Sequence, residues 1–406
     1  MELQILTLPN GIRLVHRDVP NAVAHCGIFI HAGSRDESET EHGIAHFIEH
    51  TIFKGTRKRN VFQVLNRLEN IGADLNAYTT KEETCIYASF LNAYYDRTLE
   101  LFQDILFNTL FPVKEIEKEK QVVMDEIRSY LDNPAEQIFD DFEDQVFQGH
   151  PLGRNILGTA KSLKKFTRDS ILSFIHRNYQ LDQMVLVSVG NIRFKRFAGL
   201  VSKYFNHQPD RGNIVPRKPF LGYHPLQKTK KKKIFQVHCA LGGIAFPYAD
   251  SRRIPLALLN NMLGGPIMNS RLSLALRERN GLTYHNESNY TAYSDAGIIS
   301  IYFGTDPVHY EKALSVVHKE LNRLRNEKLS VIQLHTIKKQ LIGQLAIAQE
   351  SNLSSMFAMG KSFILQNRFD PIEKVISRIQ STTGEELLEI ANEVFAESKI
   401  SMLTFR

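Results

Sequence analysis

Apolar positions along this chain repeat with two different periods. Ile44, Ile48 and Ile52 recur every four residues, the spacing of one helical face. Ser38 precedes Glu41 by three, as in a capping box, and Gly55 closes the segment. A helix of about three turns is predicted between them. A second helix follows from Ile116, Val123, Ile127 and Tyr130, whose intervening positions are crowded with Glu and Lys. Residues 314–324 and 385–395 carry the same helical pattern. The period shortens to two at 85–90 and 297–303, which read as strands, and 184–187 is an unbroken apolar run of strand length. Strands and hairpins mixed with long helices packed to one side predict an α+β architecture.

The pattern runs through twice. His25-Cys26 in the first half is echoed by His238-Cys239, the helix end at Gly55 by Gly264, and the turn at Gly72 by Gly281. The near-constant separation predicts two copies of one unit. Between them lies a stretch rich in Pro, Gly and Lys with no sustained period, the signature of a linker. A chain of 406 residues is also long for one compact core. The expected layout is a first domain over 1–210, a linker over 211–233 and a second domain over 234–406. The second copy's helix, 254–261, has no His or Glu, so it offers no second metal site.

Composition narrows the class only modestly. The longest apolar runs are far too short to span a bilayer, and Met1-Glu2-Leu3-Gln4 lacks the basic n-region of a secretory leader. The chain is therefore read as cytoplasmic. Three scattered cysteines, Cys26, Cys85 and Cys239, argue against a disulfide framework and against a thiolate metal site. The net charge of +6 owes much to Lys228 and Lys230–Lys233. That block has no interleaved aromatic residue, so it reads as a strand edge or solvated linker and not as a nucleic-acid platform.

Candidate chemistry sits on the first predicted helix, at His46-Phe47-Ile48-Glu49-His50. Histidines four apart share one helical face and can grip one Zn²⁺, with Glu49 placed to act as a general base. This is the inverted order of the His-Glu-x-x-His zinc-protease signature. A catalytic zinc takes a third protein ligand. Glu119, Asp125 and Glu126 on the second predicted helix are the candidates, and spacing alone does not choose among them.

These residues resemble the inverted zinc-peptidase family that includes pitrilysin, insulin-degrading enzyme and the mitochondrial processing peptidase (peptidase family M16). The likeness covers essentially the whole chain and is greatest to short, two-domain, bacterial-type members. It implies that Glu126, 76 residues after His50, is the third zinc ligand, and that Glu119, seven residues earlier, supports the site from behind. The segments 53–56 and 72–80 also fit, and the second implies that Asn76, Ala77, Tyr78 and Thr79 form an edge strand that pairs with substrate. Arg277 and Tyr284 match the family's substrate-contacting pair, which implies a role in stabilising the tetrahedral intermediate. Read without the resemblance, Arg277 is a surface cation and Tyr284 a strand core residue. The family's run of three glycines departs here to Gly264-Gly265-Pro266. The resemblance implies two homologous α+β domains, one Zn²⁺ per chain, and a metalloendopeptidase acting on peptides or unfolded segments. The alternative is a non-catalytic partner subunit of a processing-peptidase-like complex. Longer relatives close two domain pairs around the substrate, so this single pair implies a homodimer, or a heteromer with a paralogue.

Overall fold

The computed structural model describes residues 3–208 and 216–406. The start of the predicted linker, 211–215, lies outside the described residues. Two compact units result. The first gathers Met1–Arg128, Arg154–Arg217 and Ala348–Phe369; the second gathers Ser129–Gly153, Lys218–Ile347 and Asp370–Arg406.

Six strands build the first unit's sheet: β1 (Gln4–Thr7), β2 (Arg13–Asp18), β3 (Val23–Ile30), β4 (Asp74–Thr79), β5 (Thr84–Leu91) and β6 (Met184–Gly190). Their order is β1-β2-β6-β3-β5-β4. Five strands build the second: β7 (Gln227–Lys230), β8 (Val237–Ala245), β9 (Asn286–Ala292), β10 (Gly297–Thr305) and β11 (Ser401–Phe405), in the order β7-β11-β8-β10-β9. The two orders superimpose as β2-β6-β3-β5-β4 on β7-β11-β8-β10-β9. Within each, one pair is parallel, β2 with β6 and β7 with β11, and the rest are antiparallel. His25-Cys26 lies in β3 and His238-Cys239 in β8, strands with matching neighbours. The internal repeat thus extends from sequence to topology.

Both sheets are buried on both faces, which is why their central strands read as nearly continuous apolar runs. In β10, Ile299, Ile301 and Phe303 enter one core while Ile298 and Tyr302 enter another. The main core of the first unit joins β3 and β5 to helices that carry Ile44, Phe47, Leu99, Phe102, Phe174 and Phe197. Its opposite face is covered by one helix, Asn352–Gln366, whose Met356, Met359 and Phe363 pack on Phe29, Val185 and Val187. The second unit is completed in the same manner. Helix Pro134–Val146 lays Ile138, Phe142 and Val146 on Ala240, Ile298 and Leu403. Each half of the sequence therefore lends one helix to the sheet of the other half.

The lysine block occupies a sheet edge. Lys228 and Lys230 lie in β7, with Lys230 Nζ 2.6 Å from Asp141. Charged residues on an edge strand oppose pairing with other chains. All three cysteines are free and buried. No helix among the described residues is long and apolar enough to cross a membrane.

Candidate metal centre

The predicted three-turn helix is in fact broken. Ser38 opens a short 3-10 turn, Glu39–Glu41, with its N–H donating to Glu41 Oε2 at 3.0 Å. The α-helix proper begins only after Gly43 and runs Ile44–Thr51. Gly43 has φ +93°, and a Cβ there would meet Leu157 O and Gly158 Cα at 2.7 Å. Both the backbone angle and the space demand glycine, and the left-handed residue separates turn from helix. Ile44, Ile48 and Ile52 are buried as their spacing predicts. They anchor one face and leave His46, Glu49 and His50 on the next.

The second predicted helix is Val113–Leu131, held by buried Ile116, Val123 and Ile127. It brings Glu126 to the two histidines. Glu126 Oε1 lies 3.7 Å from His46 Nε2, and Oε2 lies 3.4 Å from His50 Nε2. One donor atom from each of these residues lies within 4.8 Å of the other two. Donors about 2.1 Å from a tetrahedral zinc stand roughly 3.4 Å apart, so this spacing fits such an ion. Glu126 Oε2 and Glu49 Oε2 are also buried with no hydrogen-bond partner. Buried carboxylate oxygens are seldom left so unless a cation or water completes them.

Glu119 is buried behind His50. Its Oε2 is 3.4 Å from His50 Nδ1 and its Oε1 is 2.7 Å from Lys54 Nζ. When Nδ1–H donates to this carboxylate, Nε2 is left as the lone-pair nitrogen facing Glu126. Burial, helped by His50, holds His46 down to about 4, so its imidazole stays neutral, the form that binds metal. Burial raises the Glu49 carboxyl, with Glu126 adding to the rise; hydrogen bonding from Thr79 and the charge of His50 pull the other way.

Thr79 ends β4, which pairs on one side with β5 and on the other with no strand among the described residues. Along it Asn76 is exposed, Ala77 buried, and Tyr78 half-buried with its hydroxyl on Glu83 Oε1 at 2.9 Å. Arg277 and Tyr284 belong to the second unit. Arg277 sits in a π-helical turn, Ser273–Glu278, its side chain half-exposed with Nε 3.6 Å from Glu278 Oε1. Tyr284 is 89% exposed and so is not a core residue. Its backbone is held in place because the neighbouring Thr283 hydroxyl donates to Gly304 O.

One residue of this centre escaped the reading of the sequence. Glu37 is buried, and its carboxylate accepts the N–H of Gly43 and of Ala45, both at 2.9 Å. No spacing rule marks a cap six residues ahead of an N-cap glycine.

Comparison with known proteins bears on this geometry. Residues 13–160 match the family described as insulinase (peptidase family M16), and residues 165–341 match the peptidase M16 inactive domain. The chain is 32% identical to the uncharacterized zinc protease YmxG of Bacillus subtilis, over 96% of this chain and 95% of that protein. It is 31% identical to an uncharacterized zinc protease of Rickettsia felis, over 98% and 96%. Among solved structures, a protease from Helicobacter pylori superimposes with a TM-score of 0.91 at 20% identity, covering 100% of this chain and 99% of that one. A peptidase M16 inactive domain from Pseudomonas fluorescens gives 0.93 at 18% identity, over 100% and 98%.

Proposed function

Since the chain belongs to the insulinase family of M16 peptidases, we propose that it is a zinc-dependent endopeptidase that cuts peptides or unfolded polypeptide segments. The observation that carries this reading is the near-tetrahedral spacing of His46, His50 and Glu126 beside an unpartnered, buried Glu49 oxygen. His46, His50 and Glu126 would hold the Zn²⁺, which would supply Lewis acidity toward the scissile carbonyl and the attacking water. Glu49 accepts the proton of the attacking water on its carboxylate and returns it to the leaving amine nitrogen. Burial raises its proton affinity, which strengthens it as the base that takes the water proton. Glu119 holds the His50 ring in the orientation and tautomer that ligation needs. The free edge of β4 takes an extended peptide as an added strand, through main-chain bonds that read little sequence. Arg277 and Tyr284 are donors suited to a developing oxyanion.

Helix Arg253–Gly264, which carries the second copy's 254–261, has no His, Cys, Asp or Glu. Digestion of a peptide mixture, before and after chelation and with zinc added back, tests the reading. Cleavage lost on chelation and restored by zinc is expected. Protein that holds zinc tightly and cuts nothing overturns it in favour of a non-catalytic subunit.

A further inference from the structure

Residues 33–37 form a strap between the end of β3 and the motif helix. Its first part is bonded to the turn that follows β4. The N–H of Ser34 donates to Thr80 O at 3.1 Å and that of Arg35 to Lys81 O at 2.8 Å. Arg35 Nη1 lies 2.6 Å from Glu82 Oε1, a pair buried on both sides. Gly33 permits the close approach, since a Cβ there would stand 2.4 Å from Thr80 O.

The far end of the strap caps the motif helix. The first N–H groups of a helix have no partner within it, and its positive end favours an anion. The N-cap residue, Gly43, has no side chain to serve them. Glu37 serves two, through Oε2 to Gly43 and Oε1 to Ala45, the residue before His46. Arg154 Nη1 in turn donates to Glu37 O at 2.9 Å. Burial pushes the Glu37 carboxyl up to about 8, while the two helix donors and Arg154 pull it down. With both oxygens accepting, the charged form suits these bonds.

We propose that Glu37 is a positioning residue for hydrolysis. Its carboxylate fixes the rotation and depth of the motif helix so that His46, Glu49 and His50 meet Glu126. Through the strap it also registers that helix against the peptide-pairing edge of β4. This rests on the peptidase reading of the site. Glu37 touches neither metal nor substrate and acts through the backbone beside His46.

The test compares the full zinc-loaded chain with Glu37→Gln and Glu37→Asp. The glutamine keeps the shape but turns an amide NH₂ toward a backbone N–H. Its kcat should fall about 10- to 100-fold, and its zinc affinity, measured by competition with a chromophoric chelator, by a similar factor. KM should stay within about twofold, because ground-state binding is not what the cap controls. Glu37→Asp, which keeps the charge, should recover part of both losses, and it takes over the comparison should the glutamine variant not fold. Wild-type zinc affinity and kcat in the glutamine variant overturn the proposal. So does a lowered unfolding midpoint with kcat per folded molecule unchanged, or a change in KM alone. If the wild type cuts no peptide, the peptidase reading fails by itself, and zinc affinity alone decides the role of Glu37.

Discussion

Glu49 and Glu126 are carboxylates of one small site, and under the proposed function their different neighbours give them different roles. Glu126 faces two imidazole nitrogens, whereas the half-buried Glu49 is hydrogen-bonded by Thr79. Glu49→Gln should therefore keep zinc and lose activity by about 10²-fold or more, the usual scale for removal of a general base. Glu126→Gln should lose zinc; metal content of the two purified variants separates the roles. Burial also sets a pH dependence. His31, beside Arg217, and His46, beside His50, are both held down to about 4 from an ordinary 6.5. Between these values the unfolded chain binds more protons than the folded one. The stability they contribute is thus fully present above about 6.5 and is lost as pH falls toward about 4. Unfolding midpoints of metal-free protein from pH 7 to 5 should show this fall, with a shallower slope in His31→Gln. At this scale the two histidines were legible because their spacing is local. Glu126 needed the family likeness, since no local rule spans 76 residues, and Glu37 was invisible because its partners are backbone atoms.

Periodicity predicts which face of an element is buried, not which sheet receives it. Strands β5 and β10 are readable from their period of two, β6 from its apolar run, and the helix bearing Glu119 from its buried stripe. The helices Asn352–Gln366 and Pro134–Val146 show the limit, since each covers the sheet built by the other half of the chain. Gly43 shows another: its left-handed angle splits a segment whose isoleucines alone predict one continuous helix. The packing of Asn352–Gln366 can be tested at Gly360, where a Cβ would stand 2.3 Å from the Phe29 ring. Overpacking of a core costs about 1–3 kcal/mol, against roughly 1 kcal/mol gained when a helical glycine becomes alanine. Because the Phe29 ring is fully buried, Gly360→Ala should destabilise the protein. Gly343, in helix Val331–Gln349, has open space where its Cβ would be. Gly343→Ala should stabilise by up to about 1 kcal/mol. Urea unfolding of the pair, with opposite signs expected, checks the packing against simple helix propensity.

At the scale of the whole molecule, the proposed zinc residues lie in one unit and Arg277 and Tyr284 in the other. Longer relatives join such sets from opposite halves of a clamshell. We therefore propose a two-fold homodimer, the commonest oligomer, in which each active site draws on both chains. Inactive Glu49→Gln chains mixed with inactive Arg277→Ala chains, under verified subunit exchange, should regain activity through one intact site per mixed dimer. Exchange without recovery would place the pair in its own chain or outside the reaction.

The exchanged helices also bear on how the protein is born. The sheet of the first unit is left bare on one face until Asn352–Gln366 has been synthesised, although its last strand, β6, ends at Gly190. Domains fold as units while the chain emerges from the ribosome. Here the unit that carries His46, His50 and Glu126 stays unfinished until residue 369 of 406 has been made. A nascent or prematurely ended chain therefore leaves the Phe29, Val185 and Val187 face of that sheet uncovered. Chains stopped after residue 347 should expose the apolar face of that sheet, bind a hydrophobic dye and yield to added trypsin; a compact, resistant fragment would show that the borrowed helix is dispensable.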